Sequence, residues 1–75
     1  MKVTSKVQIG KIICYEILFE VGGKECTGEL CENYNAEGTV SFYTFDLTDY
    51  PEELVNTFTT TFLEEIKQAA YKFTK

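Results

Sequence analysis

Apolar and polar residues alternate along the first two thirds of the chain. The pattern begins in residues 2–9, where one parity holds Val3, Val7 and Ile9 and the other holds Lys2, Thr4, Lys6 and Gln8. Successive side chains of a strand point to opposite faces, so this pattern predicts a half-buried strand. A second strand is predicted in "IICYEILFEV", where every odd-numbered residue from 13 to 21 is apolar.

Turn signals separate two further strands. Gly22-Gly23 suits a two-residue hairpin turn, because glycine accepts positive φ at both positions. A third strand is predicted at residues 24–31, followed by a polar loop in "ENYNAEG". The segment "TVSFYTFD", residues 39–46, is rich in β-branched and aromatic residues and predicts a fourth strand.

The last third of the chain changes to a helical period. Apolar residues recur there at three- and four-residue steps, at Val55, Phe58, Phe62, Ile66, Ala69 and Phe73. Asp49 is predicted to cap the N-terminus of this helix, with Pro51 in its first turn. The run "TFTTTF", residues 57–62, is a poor helix former, but the flanking periodicity favours one continuous helix.

These elements predict the α+β fold class: a four-stranded antiparallel meander with a single C-terminal helix packed across one face (ββββα). A first turn through residues 10–12 would place Ile9 opposite Ile13 and Lys6 opposite Glu16, which matches both faces. Two positions for the fourth strand stay open, either beside the third strand or at the opposite edge of the sheet.

The glycine doublet also predicts the register of the second hairpin. Counted outward from the turn, Cys14 falls opposite Cys31, and Glu16 falls opposite Glu29. The cysteine Cα atoms would then lie about 4.5 Å apart, within the range of a disulfide, so Cys14 and Cys31 form a candidate redox pair. The like-charged glutamate pair is a cost that lysines of the first strand could offset.

The face of the sheet without the helix is predicted to be an interaction surface. It would combine apolar anchors with an acidic surround: Leu18, Tyr43 and Phe45, with Glu16, Glu20, Glu25 and Glu29. An apolar centre with a charged rim is typical of protein interfaces. The alternative is that the fourth strand faces the other way, with Tyr43 and Phe45 in the core.

The cysteines and acids do not predict a metal or cofactor site. Cys26 and Cys31 fall on opposite faces of one strand, and three cysteines without histidine cannot supply the usual structural zinc site. We therefore expect unreactive thiols, with Cys26 buried as a small hydrophobe and the Cys14–Cys31 pair as the exception. The acid-rich segment "DLTDYPEE" is interpreted as helix capping and not as a cation site.

The sequence predicts no catalytic residues and no enzyme. The chain has no histidine to activate a nucleophile, and its only serines are Ser5 and Ser41. It has no glycine-rich phosphate loop. A non-catalytic protein-interaction module is therefore the function we expect.

The charge balance narrows the class of partner. The 75 residues form one predicted domain, 1–75, with net charge −5 and no arginine among the seven basic residues. This balance argues against direct nucleic-acid binding, which needs clustered basic side chains. It favours a protein partner, with self-association as a homodimer as one form. The alternative is an acidic, phage-type inhibitor that mimics nucleic acid in a basic groove of its target.

Other features predict the cellular setting. No segment has the roughly 20 apolar residues that span a bilayer, so no membrane association is expected. The alternating N-terminus is unlike a signal peptide, and the odd number of cysteines favours the cytoplasm. Frequent Lys, Ile, Tyr, Phe and Asn without Arg is typical of AT-rich coding sequences, which suggests a bacterial or phage source.

Overall fold

The computed structural model describes residues 1–75 as one antiparallel sheet with a helix across one face. Its elements are β1 (Lys2–Ile9), β2 (Ile12–Val21), β3 (Lys24–Tyr34), β4 (Val40–Asp49), a 3-10 turn (Glu52–Leu54) and α1 (Thr60–Phe73). The strand order is β1-β2-β3-β4, so β4 lies beside β3. The predicted ββββα meander is confirmed.

The β2–β3 hairpin has the predicted turn and register. Gly22 and Gly23 both adopt positive φ, at 58° and 79°, and residues other than glycine rarely adopt such angles. Phe19 pairs with Cys26, and Cys14 pairs with Cys31. The two-residue turn leaves only one register for these strands, and that register was readable from the glycine doublet.

The predicted β1–β2 register is wrong by one residue. The turn contains only Gly10 and Lys11, so Ile9 pairs with Ile12 and not with Ile13. Gly10 has φ 61°, which permits the tighter turn. Because the side-chain period of a strand is two, the shift moves the apolar parity of residues 5–9 to the other face of the sheet.

The register shift also removes the ion pair predicted between Lys6 and Glu16. Lys6 pairs with Tyr15 and not with Glu16, and its Nζ lies 5.8 Å from the centroid of the tyrosine ring. An irregularity between Val3 and Ser5 inserts Thr4 and returns Val3 to the helix-covered side. The strand is therefore divided between the two faces.

The core lies between the central strands and α1. Its eight buried residues are Tyr15, Ile17, Phe19, Cys26, Leu30, Leu54, Ile66 and Ala70. The burial of Cys26, which is 1% exposed, confirms the prediction for that thiol. β1 lies outside this core, since every one of its residues is exposed.

The predicted facing of β4 is wrong, and the alternative orientation is correct. Tyr43 and Phe45 pack against the core from the helix-covered side, whereas Phe42 is 57% exposed. Gly28 explains why β4 turns Phe45 toward the core. A Cβ at that position would overlap three ring atoms of Phe45, the farthest of them 3.0 Å away, so the missing side chain makes room for the ring.

The helix begins later than predicted. Asp49 ends β4 and caps nothing, and Pro51 precedes the separate 3-10 turn. α1 begins after Thr59, whose extended backbone and hydroxyl form the N-cap: its Oγ1 accepts a hydrogen bond of 3.2 Å from the Phe62 amide. The predicted continuous helix is therefore interrupted at the threonine run, because threonine hydroxyls favour helix caps over helix interiors.

A buried carboxylate holds the C-terminus of α1 on the sheet. Glu32, predicted to lie in a loop, belongs to β3 and is fully buried on the helix-covered side. Its carboxylate accepts hydrogen bonds from the Tyr34 hydroxyl (3.1 Å) and the Thr74 hydroxyl (2.8 Å), and it pairs with Lys75 Nζ at 3.4 Å. These partners satisfy a group that is otherwise costly to bury.

Candidate interaction surface

The helix-free face of the sheet carries an exposed apolar cluster at one end. Cross-strand pairing places Ile9, Ile12, Asn33 and Phe42 in one row. Val7 lies in the next row, opposite Cys14. We call Val7, Ile9, Ile12 and Phe42 the apolar end; their exposed fractions are 52, 75, 41 and 57%. Directly paired residues of a sheet lie on the same face, so these four side chains share one face, with Asn33 between Ile12 and Phe42.

A disulfide lies beside the apolar end. Cys14 and Cys31 are bonded across β2 and β3, with Cα atoms 4.1 Å apart. The short separation is that of a pair without direct ladder hydrogen bonds, as the register predicted. The pairing of these two residues is confirmed, while their redox behaviour stays a prediction.

The other half of this face is acidic. Glu16 pairs with Glu29, and Glu29 pairs with Asp46, so three carboxylates form a row across β2, β3 and β4. Glu20 and Glu25 are paired further along the same two central strands. We call these five residues the acidic half; all of them are exposed. Like charges set directly opposite repel one another, so this half of the face carries a concentrated negative potential.

Few polar contacts neutralise the acidic half. Glu16 accepts a 2.6 Å hydrogen bond from the Thr4 hydroxyl, and no hydrogen bond or ion pair engages the Glu29 carboxylate. Lys2 pairs with Leu18 on this face, whereas Lys6 has moved to the other side. The lysine compensation expected from the sequence is therefore incomplete, and the carboxylates remain available to a cation or a basic side chain.

One group of side chains on this face combines sulfur and oxygen donors. The Sγ atoms of Cys14 and Cys31 and a carboxylate oxygen of Glu29 all lie within 4.8 Å of one another. A cleft lined by these residues, Val7 and Ile12 opens to solvent there. The buried Cys26 lies apart from this group, since it is on the helix-covered side of β3.

Burial makes Cys26 a poor nucleophile. It raises the pKa of this thiol above its ordinary value of 9.0, and the nearby Asp49 carboxylate raises it further. The thiolate is the reactive form, so a raised pKa keeps Cys26 protonated and inert. Burial likewise raises the pKa of Tyr15, and the charge of Glu32 acts in the same direction.

The structure brings together part of the predicted surface. Leu18, half-buried, lies on the helix-free face with Glu16, Glu20, Glu25 and Glu29. Tyr43 and Phe45 do not, because both pack on the other side. The exposed apolar residues of this face are those of the apolar end instead. Sequence reasoning missed them, although Gly10 directly after Ile9 suits a two-residue turn and so indicates the register that exposes them.

Comparisons of the chain with protein-family models, curated protein sequences and solved structures found no match. No helix of the structure has both the length and the apolar character required to cross a bilayer.

Proposed function

We propose that the protein is a non-catalytic interaction module that binds a protein partner through the helix-free face of its sheet. The apolar end carries this proposal: Val7, Ile9 and Ile12 are neighbours on β1 and β2, and Phe42 lies in the row of Ile9 and Ile12 beyond Asn33, with each of the four at least 41% exposed. Scattered apolar residues are ordinary on protein surfaces, but a contiguous patch beside charged residues marks an interaction site.

The acidic half favours a partner with clustered lysine or arginine side chains. A homodimer with the two-fold axis along the strands would set five carboxylates against five others, and one with the axis across the strands would cover each apolar end with charged side chains; both arrangements oppose association. A shifted homodimer could bury the two apolar ends alone, yet four side chains provide little of the roughly 800 Å² per partner found in standard interfaces. A basic partner can use both halves of the face at once.

A more specific form of this function is an acidic inhibitor that occupies the basic groove of a nucleic-acid-binding protein. The line of carboxylates Glu16, Glu29 and Asp46 across three neighbouring strands supports it, because such a line matches basic side chains that otherwise bind phosphates. A cytoplasmic location and a bacterial or phage source remain predictions that accompany this proposal.

The apolar end is tested with matched pairs of variants. Val7→Lys alters the patch, and Val55→Lys is its control, because the two valines are 52% and 51% exposed. Phe42→Ser and Phe73→Ser form a second pair, at 57% and 49% exposure. A partner captured from the source cells is purified, and its Kd for each variant is measured by titration calorimetry.

We expect Val7→Lys and Phe42→Ser to raise Kd by about tenfold or more. The two control variants should change Kd by less than about twofold. Binding should weaken as salt is raised, and Glu29→Gln with Asp46→Asn should reduce that salt dependence. A partner that binds all four variants equally would refute the proposed surface.

Self-association is distinguished by sedimentation of the protein alone. We expect a monomer at micromolar concentration. If the protein is instead a dimer, and Val7→Lys abolishes the dimer while Val55→Lys preserves it, the partner is a second copy of the chain and not a basic protein. Such a result would keep the surface but overturn the partner class.

A further inference from the structure

We propose that the reduced Cys14–Cys31 pair, together with Glu29, binds one thiophilic divalent cation such as Zn²⁺ or Cd²⁺. The donor residues are already close together in the disulfide form: both Sγ atoms and a Glu29 carboxylate oxygen lie within 4.8 Å of one another on one face of the sheet. This site does not depend on the proposed function, because it requires only the β2–β3 hairpin.

The hairpin keeps the two sulfurs together after the disulfide opens. Cys14 and Cys31 are directly paired across the ladder, with Cα atoms 4.1 Å apart, and the register is held by the Gly22-Gly23 turn and not by the disulfide alone. Both side chains point to the same face. Reduced sulfurs at these positions need only side-chain rotation to move from bonding distance to joint coordination of a metal at about 2.3 Å from each.

The neighbouring carboxylates complete the donor set. Glu29 lies two residues before Cys31, on the same face, and its carboxylate has no hydrogen-bond or ion-pair partner in the protein. Glu16 lies opposite it and two residues after Cys14. Two thiolates and a carboxylate provide three ligands, and Glu16 or water can supply the fourth position of a tetrahedral site.

The chemistry of these donors selects the metal. Thiolate ligands favour zinc and other thiophilic ions, whereas magnesium and calcium require oxygen ligands. The row formed by Glu16, Glu29 and Asp46 also places three negative charges beside the sulfurs, and a divalent cation offsets their repulsion. The metal site and the disulfide exclude each other, since bonded sulfurs are not thiolates.

The change between the two forms is balanced in atoms and electrons. A dithiol reductant transfers two electrons and two protons to the Cys14–Cys31 bond, which becomes two thiols while the reductant becomes a disulfide. The divalent cation then replaces both thiol protons, so binding one metal releases two protons. In the reverse direction a small disulfide oxidant takes two electrons from the two thiolates and two protons from solvent and becomes two thiols, while the Cys14–Cys31 bond re-forms and the metal is released.

Metal binding is measured on the full chain in both redox forms. The protein is reduced, the reductant is removed without air, and far-UV circular dichroism establishes whether the sheet is retained. Zn²⁺ affinity is measured by competition with a chromophoric chelator. Cd²⁺ is then added to detect cadmium–thiolate absorption, and native mass spectrometry gives the stoichiometry.

The variants separate the sulfur and oxygen ligands. We expect one metal per reduced chain and none per oxidised chain. Cys14→Ser should weaken Zn²⁺ binding by about a hundredfold, and Glu29→Gln by about tenfold. Glu25→Gln is the matched control, because Glu25 lies on the same face of β3 but in a different row, and it should change affinity by less than about twofold.

Three results would overturn the site. They are equal binding by the reduced and oxidised chains, equal binding by wild type and Glu29→Gln, and one metal shared between two chains. If reduction unfolds the chain, one equivalent of Zn²⁺ should restore the folded spectrum of wild type and not that of Cys14→Ser. Failure of this rescue would also overturn the proposal.

Discussion

Replacement of Glu32 tests how the terminal helix is held on the sheet. The carboxylate accepts two hydroxyl hydrogen bonds, from Tyr34 and Thr74, and each bond to a charged group contributes about 1.5–3 kcal/mol. The Lys75 side chain is 40% exposed, so its ion pair adds less than about 1 kcal/mol. Removing the carboxylate also relieves its desolvation cost. We therefore expect Glu32→Ala to lower the free energy of unfolding by about 3 kcal/mol.

Glu32→Gln should be much milder, because Thr74 has a second acceptor. Its hydroxyl lies 2.8 Å from the Glu32 carboxylate and 2.9 Å from the Tyr71 carbonyl oxygen. A glutamine amide can donate to the Thr74 oxygen while the hydroxyl turns to Tyr71. The variant still loses the negative charge, which strengthens the Tyr34 hydrogen bond and attracts Lys75, and the combined cost is about 1 kcal/mol.

Urea unfolding followed by circular dichroism measures both variants, and Glu37→Ala in the exposed β3–β4 loop is the control. In thermal unfolding Glu32→Ala should lower Tm by about 12–24 °C, and in urea the control should change stability by less than about 0.5 kcal/mol. If Glu32→Ala cost less than about 1 kcal/mol, or if the glutamine and alanine variants were equally unstable, the hydrogen-bond assignment would be wrong.

Other residues give separable effects on stability. Gly28→Ala should cost about 1–3 kcal/mol in urea unfolding, because its Cβ overlaps the Phe45 ring; an unchanged midpoint would contradict that packing. Reduction of the Cys14–Cys31 bond, with sequence separation 17, should cost about 3 kcal/mol, and Cys14→Ser should not respond to reductant. Burial raises the pKa of Cys26 above 9.0, so the contribution of this thiol is complete below pH 9.0 and is lost as pH rises through the folded pKa. Thermal unfolding between about pH 8 and pH 11 should show this loss, and Cys26→Ala should reduce it.

Turn chemistry decided which strand registers could be predicted. Two adjacent glycines in positive-φ conformations define a two-residue turn, so the β2–β3 register followed directly from the sequence. Only one glycine, Gly10, marks the first turn, and both two- and three-residue loops are compatible with it. These loops differ by one residue, which is enough to exchange the two faces of β1.

The facing of β4 depended on a contact between strands. Aromatic residues occupy both parities of this strand, at Phe42 and at Tyr43 and Phe45, so alternation alone cannot select the buried face. Because Gly28 has no side chain, the Phe45 ring fits above it, and this contact selects which face of β4 is buried. A glycine within a predicted strand is a sequence signal for such a close approach, but it does not say which side chain fills the space.

The burial of Glu32 could be inferred only from parity. Cys26, Gly28 and Leu30 share the covered face of β3, and the same alternation continues to Glu32. The polar segment "ENYNAEG" predicts instead a loop that begins at Glu32. A buried carboxylate is unfavourable without partners. Its partners, at residues 34, 74 and 75, come together only when the helix docks.

The wrong register and the proposed surface have the same physical origin. In the three-residue turn, Val7 and Ile9 would extend the core face, and the helix-free face would lose its two most exposed β1 anchors. In the observed turn, both lie beside Ile12 and the disulfide, outside the reach of α1. A protein of this size has few apolar side chains available for its core, so leaving these exposed lowers the burial it achieves alone. Under the proposed function, a partner that covered these side chains would supply the missing burial, so the turn at Gly10 would determine the binding surface as well as the fold.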